Sequence, residues 1–272
     1  MTAPTLLARA IGVLRTSNAT EKAVKSRQLA KAWRDGTIDE IGVAGDGEIP
    51  SRPGRPQQPR LAPPREVPRR RISQNPAGRI ALLHALAHIE LNAVDLSWDI
   101  LVRFIGQENL PREFADDWVK VADEEAKHFT LLNDRLQSLG SFYGELPAHD
   151  GLWEAAESTA ADVSARLAIV PMVLEARGLD VTPAMIDKLT KAEDHESAAI
   201  LDIIHRDEIT HVAIGHKWFD HICQRNNHEP AEHFQNLVRR YYNGTLKRPF
   251  NRKSRDRAGL PVSFYEPLAE TP

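Results

Sequence analysis

From Ala77 onward, apolar residues recur every three or four positions over long stretches, which is the period of an amphipathic helix. The pattern predicts helix A over about 77–105. It predicts helix B from after Pro111 to about 139, stopped by Gly140. A loop with Tyr143, Gly144, Pro147, His149 and Asp150 leads to helix C, over about 152–177, with Gly178 near its end. Thr182-Pro183 reads as an N-cap followed by proline at the first helical position, so a new helix is expected there. The helical period then continues to Arg225. At 1.5 Å per residue that run is about 60 Å, against about 42 Å for helix B. A break is therefore expected near Asp194, giving a short helix and then helix D. Residues 230–243 read as one more helix. No strand period competes. Four long helices with a long B-to-C crossover predict an all-α fold built as a four-helix bundle.

The chain before Ala77 has a different texture. Leu6, Leu7, Ile11 and Leu14, then Ala23, Val24, Leu29 and Trp33, predict one or two short amphipathic helices, ended by Asp35-Gly36. Between Pro50 and Pro76 there are eight prolines and seven arginines against the single Glu66. Each proline fixes its own φ and biases its predecessor to extended geometry. This stretch predicts an extended basic arm, strapped over the main domain with its arginines on surface acids. The far end is basic too: Lys247, Arg248, Arg252, Lys253, Arg255 and Arg257 face only Asp256. The expected organisation is an N-terminal helical segment with a Pro/Arg-rich arm (1–76), a bundle (77–226), and a C-terminal helix with a basic tail (227–272).

Composition narrows the class. With 272 residues, there is material for one large domain or one domain with arms. A 42% hydrophobic and 27% charged content, with mean hydropathy −0.42, is that of a soluble globular chain. No unbroken run of 18 apolar residues occurs, so no membrane span is expected. Arg9 interrupts the first apolar stretch and no basic n-region precedes it, so no secretory signal is expected. The lone Cys223 cannot form an internal disulfide or a thiolate cluster, which makes the reduced cytoplasm the expected compartment. Its simplest reading is a small apolar helix residue. The net charge of −3 argues for no particular partner.

Two Glu-x-x-His motifs fall on predicted helices: Glu125-Ala126-Lys127-His128 and Glu208-Ile209-Thr210-His211. Positions i and i+3 share a helix face, so each pair can offer a carboxylate and an imidazole to one ion. Alone, each is a weak signal. Context strengthens it, because a carboxylate-bridged dimetal bundle needs one more Glu on each preceding helix. Helix A has Glu90 within LAHIELNAVDL, and helix C has Glu175 within IVPMVLEARGL. Both carboxylates sit in apolar surroundings, where an unpaired charge is costly. The two halves repeat one plan. Four carboxylates and two histidines form a hard donor set, suited to two iron ions or to a manganese–iron pair rather than to structural zinc.

Glu124 and Asp207, each four residues before a motif histidine, are candidates to receive an imidazole N–H from a neighbouring helix. His205, three residues before Glu208, is a further candidate beside the site. His88 lies about 200° round the helix from Glu90, so it reads as a core histidine, as does His84. Pro171, four residues before Glu175, should kink helix C. Trp98, Trp118, Trp153 and Trp218 read as core aromatics.

The set Glu90, Glu125-x-x-His128, Glu175, Glu208-x-x-His211 resembles the ferritin-like di-iron carboxylate superfamily. More closely, HALAHIELNAVDL, VADEEAKHF, YGELPAHDGLW, LEARGLDVTP and DEITHVAIGHKWF resemble an uncharacterised ferritin-like family, known only as domain of unknown function 455. The RPGRPQQPRLAPPREVPRRR arm and the PFNRKSRDRAGL tail resemble it too. The ligand pattern and the PFN-x-x-x-R tail are distantly similar to the di-iron hydroxylases that modify isopentenylated adenosine in transfer RNA. In oxygen-activating relatives the residue before each motif glutamate is often Asp. Asp207 fits that habit and Glu124 departs from it.

The resemblance implies a ferritin-like fold and a di-iron site, and leads to an oxygen-dependent oxidase or hydroxylase as the expected function. Its partners would be O2 and a small-molecule or nucleotide-bearing substrate; nucleic acid is a weaker expectation. No catalytic residue beyond the ligands is singled out. Ferroxidase or iron handling is the first alternative, and a non-enzymatic binding module on the same bundle the second.

Overall fold

The helical period of the sequence becomes helix along most of the chain. The computed structural model describes residues 5–43, 49–68, 70–73 and 75–270, and it is all-helical, with no strand among those residues. The chain divides into two units, residues 1–153 and 154–272, each with its own core.

In the first unit, α1 (Leu6–Arg15) and α2 (Ala19–Arg34) pack against two long helices, α3 (Pro76–Phe104) and α4 (Arg112–Ser138). Asn18 caps α2 by accepting the Glu21 N–H at 2.9 Å. Asn75 caps α3, with Pro76 at its first position. The predicted helices A and B match α3 and α4 closely. α4 runs back along α3, and the loop after it returns to His84 and His88 near the start of α3. α3 is long and apolar enough to cross a membrane by length and composition, although no unbroken apolar run marks it in the sequence. Its most apolar stretch is 83% buried inside the protein, as in a core helix. Leu83, Leu91, Leu101 and Phe104 of α3 are buried, each worth about 2 kcal/mol. That gain supports the burial of Glu90, Asp95 and Asp99 on the same helix, where an unpaired charge costs several kcal/mol.

The basic arm is a strap on this unit, as expected, although one of its arginines, Arg55, reaches a buried acid rather than a surface one. Gly54 N–H donates to the Leu14 carbonyl at 2.7 Å. A Cβ at Gly54 would lie 2.4 Å from the Arg15 carbonyl oxygen, so only glycine permits the approach. Arg55 reaches Asn92 at 2.6 Å and Asp95 at 3.4 Å, and Arg52 pairs with Asp150. Around Leu61 the strap pairs with Ala148, whose carbonyl accepts the Ala62 N–H at 2.8 Å. Arg69 and Gln74 lie outside the described residues.

The second unit corrects the sequence reading. The predicted helix C appears as α5 (Gly151–Ser158) and α6 (Val163–Ile169), interrupted between them. Asp162 caps α6 by accepting the Ala165 N–H at 3.0 Å. From Val170 to Glu175 the chain makes a wider π-helical turn and then continues as α7 (Ala176–Lys191). No helix ends at Gly178 and none starts at Thr182-Pro183, because Pro183 lies inside α7. Proline at that position leaves the carbonyl four residues back, that of Leu179, without its helical donor. The side-chain amide of Asn251 donates to the Leu179 carbonyl at 3.2 Å and fills the gap. The expected break appears after Lys191, with Asp194 capping α8 (His195–Asn226) by accepting the Ser197 N–H at 3.1 Å. α9 (Pro230–Tyr241) follows and packs on α6.

The tail adds two helices that the period did not show, α10 (Arg252–Arg257) and α11 (Val262–Tyr265). Arg255 is buried and holds Asp180 of α7 with two bonds, at 2.9 and 2.7 Å. Its guanidinium lies over Phe250 and Tyr265, 4.9 and 4.4 Å from the ring centres. The tail's basic charge is thus partly turned inward. Cys223 is buried in α8 as expected, and burial, with Asp220 and Glu229 nearby, pushes its thiol up to about 12. Trp98, Trp118, Trp153 and Trp218 are buried, each in its own unit.

Candidate metal centre

In the first unit, α3 and α4 bring three of the expected ligands together. Glu90, Glu125 and His128 each offer a ligand atom within 4.8 Å of the others. His128 Nδ1 stands 3.1 Å from Glu90 Oε2 and 3.5 Å from Glu125 Oε2. The i, i+3 spacing puts Glu125 and His128 on one face of α4, and Glu90 meets them from α3. Glu125 and His128 are 0% exposed and Glu90 4%, so these carboxylates lie out of water's reach. Ala122, Ala126 and Phe129, nearby on α4, are buried as well.

The second unit repeats the α4 arrangement on α8. His211 Nδ1 stands 3.5 Å from Glu208 Oε1, and both residues are buried. Glu175 closes the π-helical turn and is half-buried. One turn past His211, Gly215 lets this segment approach: a Cβ there would lie 2.5 Å from Cβ and Cγ of Pro171. The predicted kink at Pro171 is thus a widened turn seated against the ligand-bearing helix. π-turns recur at functional sites, where the extra residue re-aims the side chains beyond it.

The secondary candidates fare differently. Glu124 is partly exposed and 3.9 Å from Lys120. Asp207 is half-buried on α8. His205 is directed to Ser254 of the tail, Nε2 to Oγ 3.2 Å. His84 and His88 are core histidines, as expected. His84 Nε2 accepts N–H groups of Gly144 and Leu146, at 3.0 and 3.3 Å, and burial lowers its pKa to about 4. His88 Nδ1 lies 2.9 Å from the Tyr143 hydroxyl, and burial, with the Arg55 charge, lowers its pKa to about 3.

Sequence reasoning passed over one buried charge cluster beside these. Lys22 of α2 pairs with Asp95 of α3, and both are buried. Burial pushes the lysine down and the aspartate up, and their mutual attraction opposes both shifts. The signal was available, since Asp95 interrupts an apolar run just as Glu90 does.

A family model described as "Protein of unknown function (DUF455)" matches residues 15–266. The chain belongs to that family. A relative from Haemophilus influenzae, named only "Uncharacterized protein", is 43% identical over 209 residues, 75% of this chain and 72% of that one. No solved structure matches. For this DUF455 chain the donor set is therefore the guide. Two buried carboxylates and an imidazole within 4.8 Å fit a divalent ion, which would neutralise the acids and accept the ring nitrogen.

Proposed function

We propose that this chain is a dimetal carboxylate protein on a ferritin-like four-helix bundle, of the oxygen-dependent oxidase or hydroxylase class. One observation carries the reading: each unit holds a buried Glu-x-x-His pair with Nδ1 3.5 Å from the motif carboxylate. Structural helix-face residues would have no cause to repeat that arrangement out of water. On this reading Glu90, Glu125, His128, Glu175, Glu208 and His211 hold two ions, iron with iron or manganese with iron. The pair would supply redox chemistry toward O2. The chain's own residues bind and orient. Glu125 and His128 are themselves 0% exposed, so the protein keeps water from both. Glu175 ends the π-helical turn, an irregularity that recurs at functional sites. The substrate is a small molecule, nucleotide-bearing if the exposed basic residues serve its recognition.

The test is elemental analysis of protein expressed with iron and purified without chelator, beside a Glu125→Ala/Glu208→Ala variant. About two metal ions per chain, lost in the variant, is the expected result. Steady turnover of Fe(II) without any organic substrate would move the assignment to iron handling. No bound metal after reconstitution would leave a binding module.

A further inference from the structure

The pair α1 and α2 carries a feature that the metal centre does not use. A groove of about 530 Å³ opens between them, bounded by Thr37 and Ile38 of the turn that follows α2. That volume is within the range of small-molecule sites. Its floor is apolar: Val13, Leu29 and Ile38 are each less than a tenth exposed. Gly12 forms part of the wall. Glycine inside a helix is a destabilising choice, usually repaid where another backbone comes close. No such approach exists here, since a Cβ at Gly12 would meet nothing within 4 Å among the described residues. The missing side chain leaves the groove open instead.

The charged groups of the groove share one sign, beside the neutral Gln28 and Thr37. Arg9 and Lys25 stand in its lining and no Asp or Glu does. Lys25 is partly engaged, 2.7 Å from Glu21 and 3.2 Å from the Thr16 hydroxyl. Arg9 has no ion-pair partner among the described residues. An apolar floor under a cationic rim selects two things at once. A bare phosphate would leave the floor wet, and a neutral hydrocarbon would leave the guanidinium unmatched.

We propose that the α1–α2 groove is a binding site for a small amphipathic anion, a carboxylate, sulfonate or phosphate carried on an apolar body. The head group pairs with Arg9, and the body lies on Val13, Leu29 and Ile38.

The probe is 1-anilinonaphthalene-8-sulfonate, with N-phenyl-1-naphthylamine as its uncharged counterpart, titrated into the full chain by fluorescence and calorimetry. One saturable site per chain is expected for the sulfonate, weakening as salt rises. Arg9→Gln should weaken it about tenfold, the usual worth of a hydrogen bond to a charged group. Gly12→Leu should abolish binding while the thermal midpoint stays level or rises, because the new side chain fills open space and favours the helix. That unchanged midpoint separates a filled groove from a loosened core, which also binds this dye. Equal affinity for the neutral probe would overturn the anion assignment. Sulfonate binding that survives Gly12→Leu would overturn the location. A dimer in light scattering that disappears in Gly12→Leu would give the groove to a second copy and overturn the small-ligand reading. All of these readouts are independent of bound metal.

Discussion

At the scale of single residues, the first unit buries Lys22, Glu90, Asp95, Asp99 and Glu125, and that charge is organised. Lys22 and Asp95 are nearly inaccessible, so each depends chiefly on the other, with Gly54's carbonyl accepting from the lysine at 2.8 Å and Arg55 beside the aspartate. Lys22→Met should cost about 3 kcal/mol, because it leaves a buried carboxylate with only Arg55 at 3.4 Å. Lys22→Met/Asp95→Leu should recover more than half of that, and urea unfolding of the three proteins checks it. His84 makes a separate prediction with a definite sign. Its folded pKa, about 4, lies below the ordinary value of 6.5, so the folded state favours the neutral ring. The stability tied to that ring is complete above about pH 6.5 and is lost as pH falls toward 4. His84→Gln, which can still accept the Gly144 N–H, should flatten the fall in unfolding free energy across that window.

At the scale of elements, the most consequential feature is a helix that contains two prolines and survives both. The run from Val163 to Lys191 absorbs Pro171 by widening into a π turn. It absorbs Pro183 by borrowing a donor from Asn251. Gly215→Ala should press a methyl group against Pro171, costing about 1–3 kcal/mol and lowering metal occupancy, because the displaced turn ends in Glu175. A thermal scan and elemental analysis on the same sample read both effects. These elements also mark the limit of what the amino-acid order revealed. α3, α4, α8 and α9 were legible because their apolar period is long and their caps are local: Asn75 before Pro76, Asp194 before His195. The continuity of α7 was not legible, since the group that rescues Pro183 lies 72 residues from Leu179. Likewise, Glu90, Glu125 and His128 could be chosen from acids within apolar runs and from i, i+3 spacing. His205 was drawn toward the site by spacing alone, and its partner, Ser254, sits in a tail helix too short to show a period.

At the scale of the whole molecule, the proposed centre ties stability to metal. A ligand that binds only the folded chain at a thousandfold over its dissociation constant adds about 4 kcal/mol, so removing metal with a chelator should lower the thermal midpoint by about 7 °C. The Glu125→Ala/Glu208→Ala variant should show no such dependence in differential scanning fluorimetry. Time enters as well, through the tail clamp. Asp180 precedes Arg255 by 75 residues, and Lys22 precedes Asp95 by 73. At ribosomal speeds of 5–20 residues per second, each early charge waits about 4–15 s for the partner that makes its burial tolerable. Throughout that interval α7 has neither Asn251 at the Leu179 carbonyl nor Arg255 at Asp180, so the second unit completes its polar pairing only after the tail has been made.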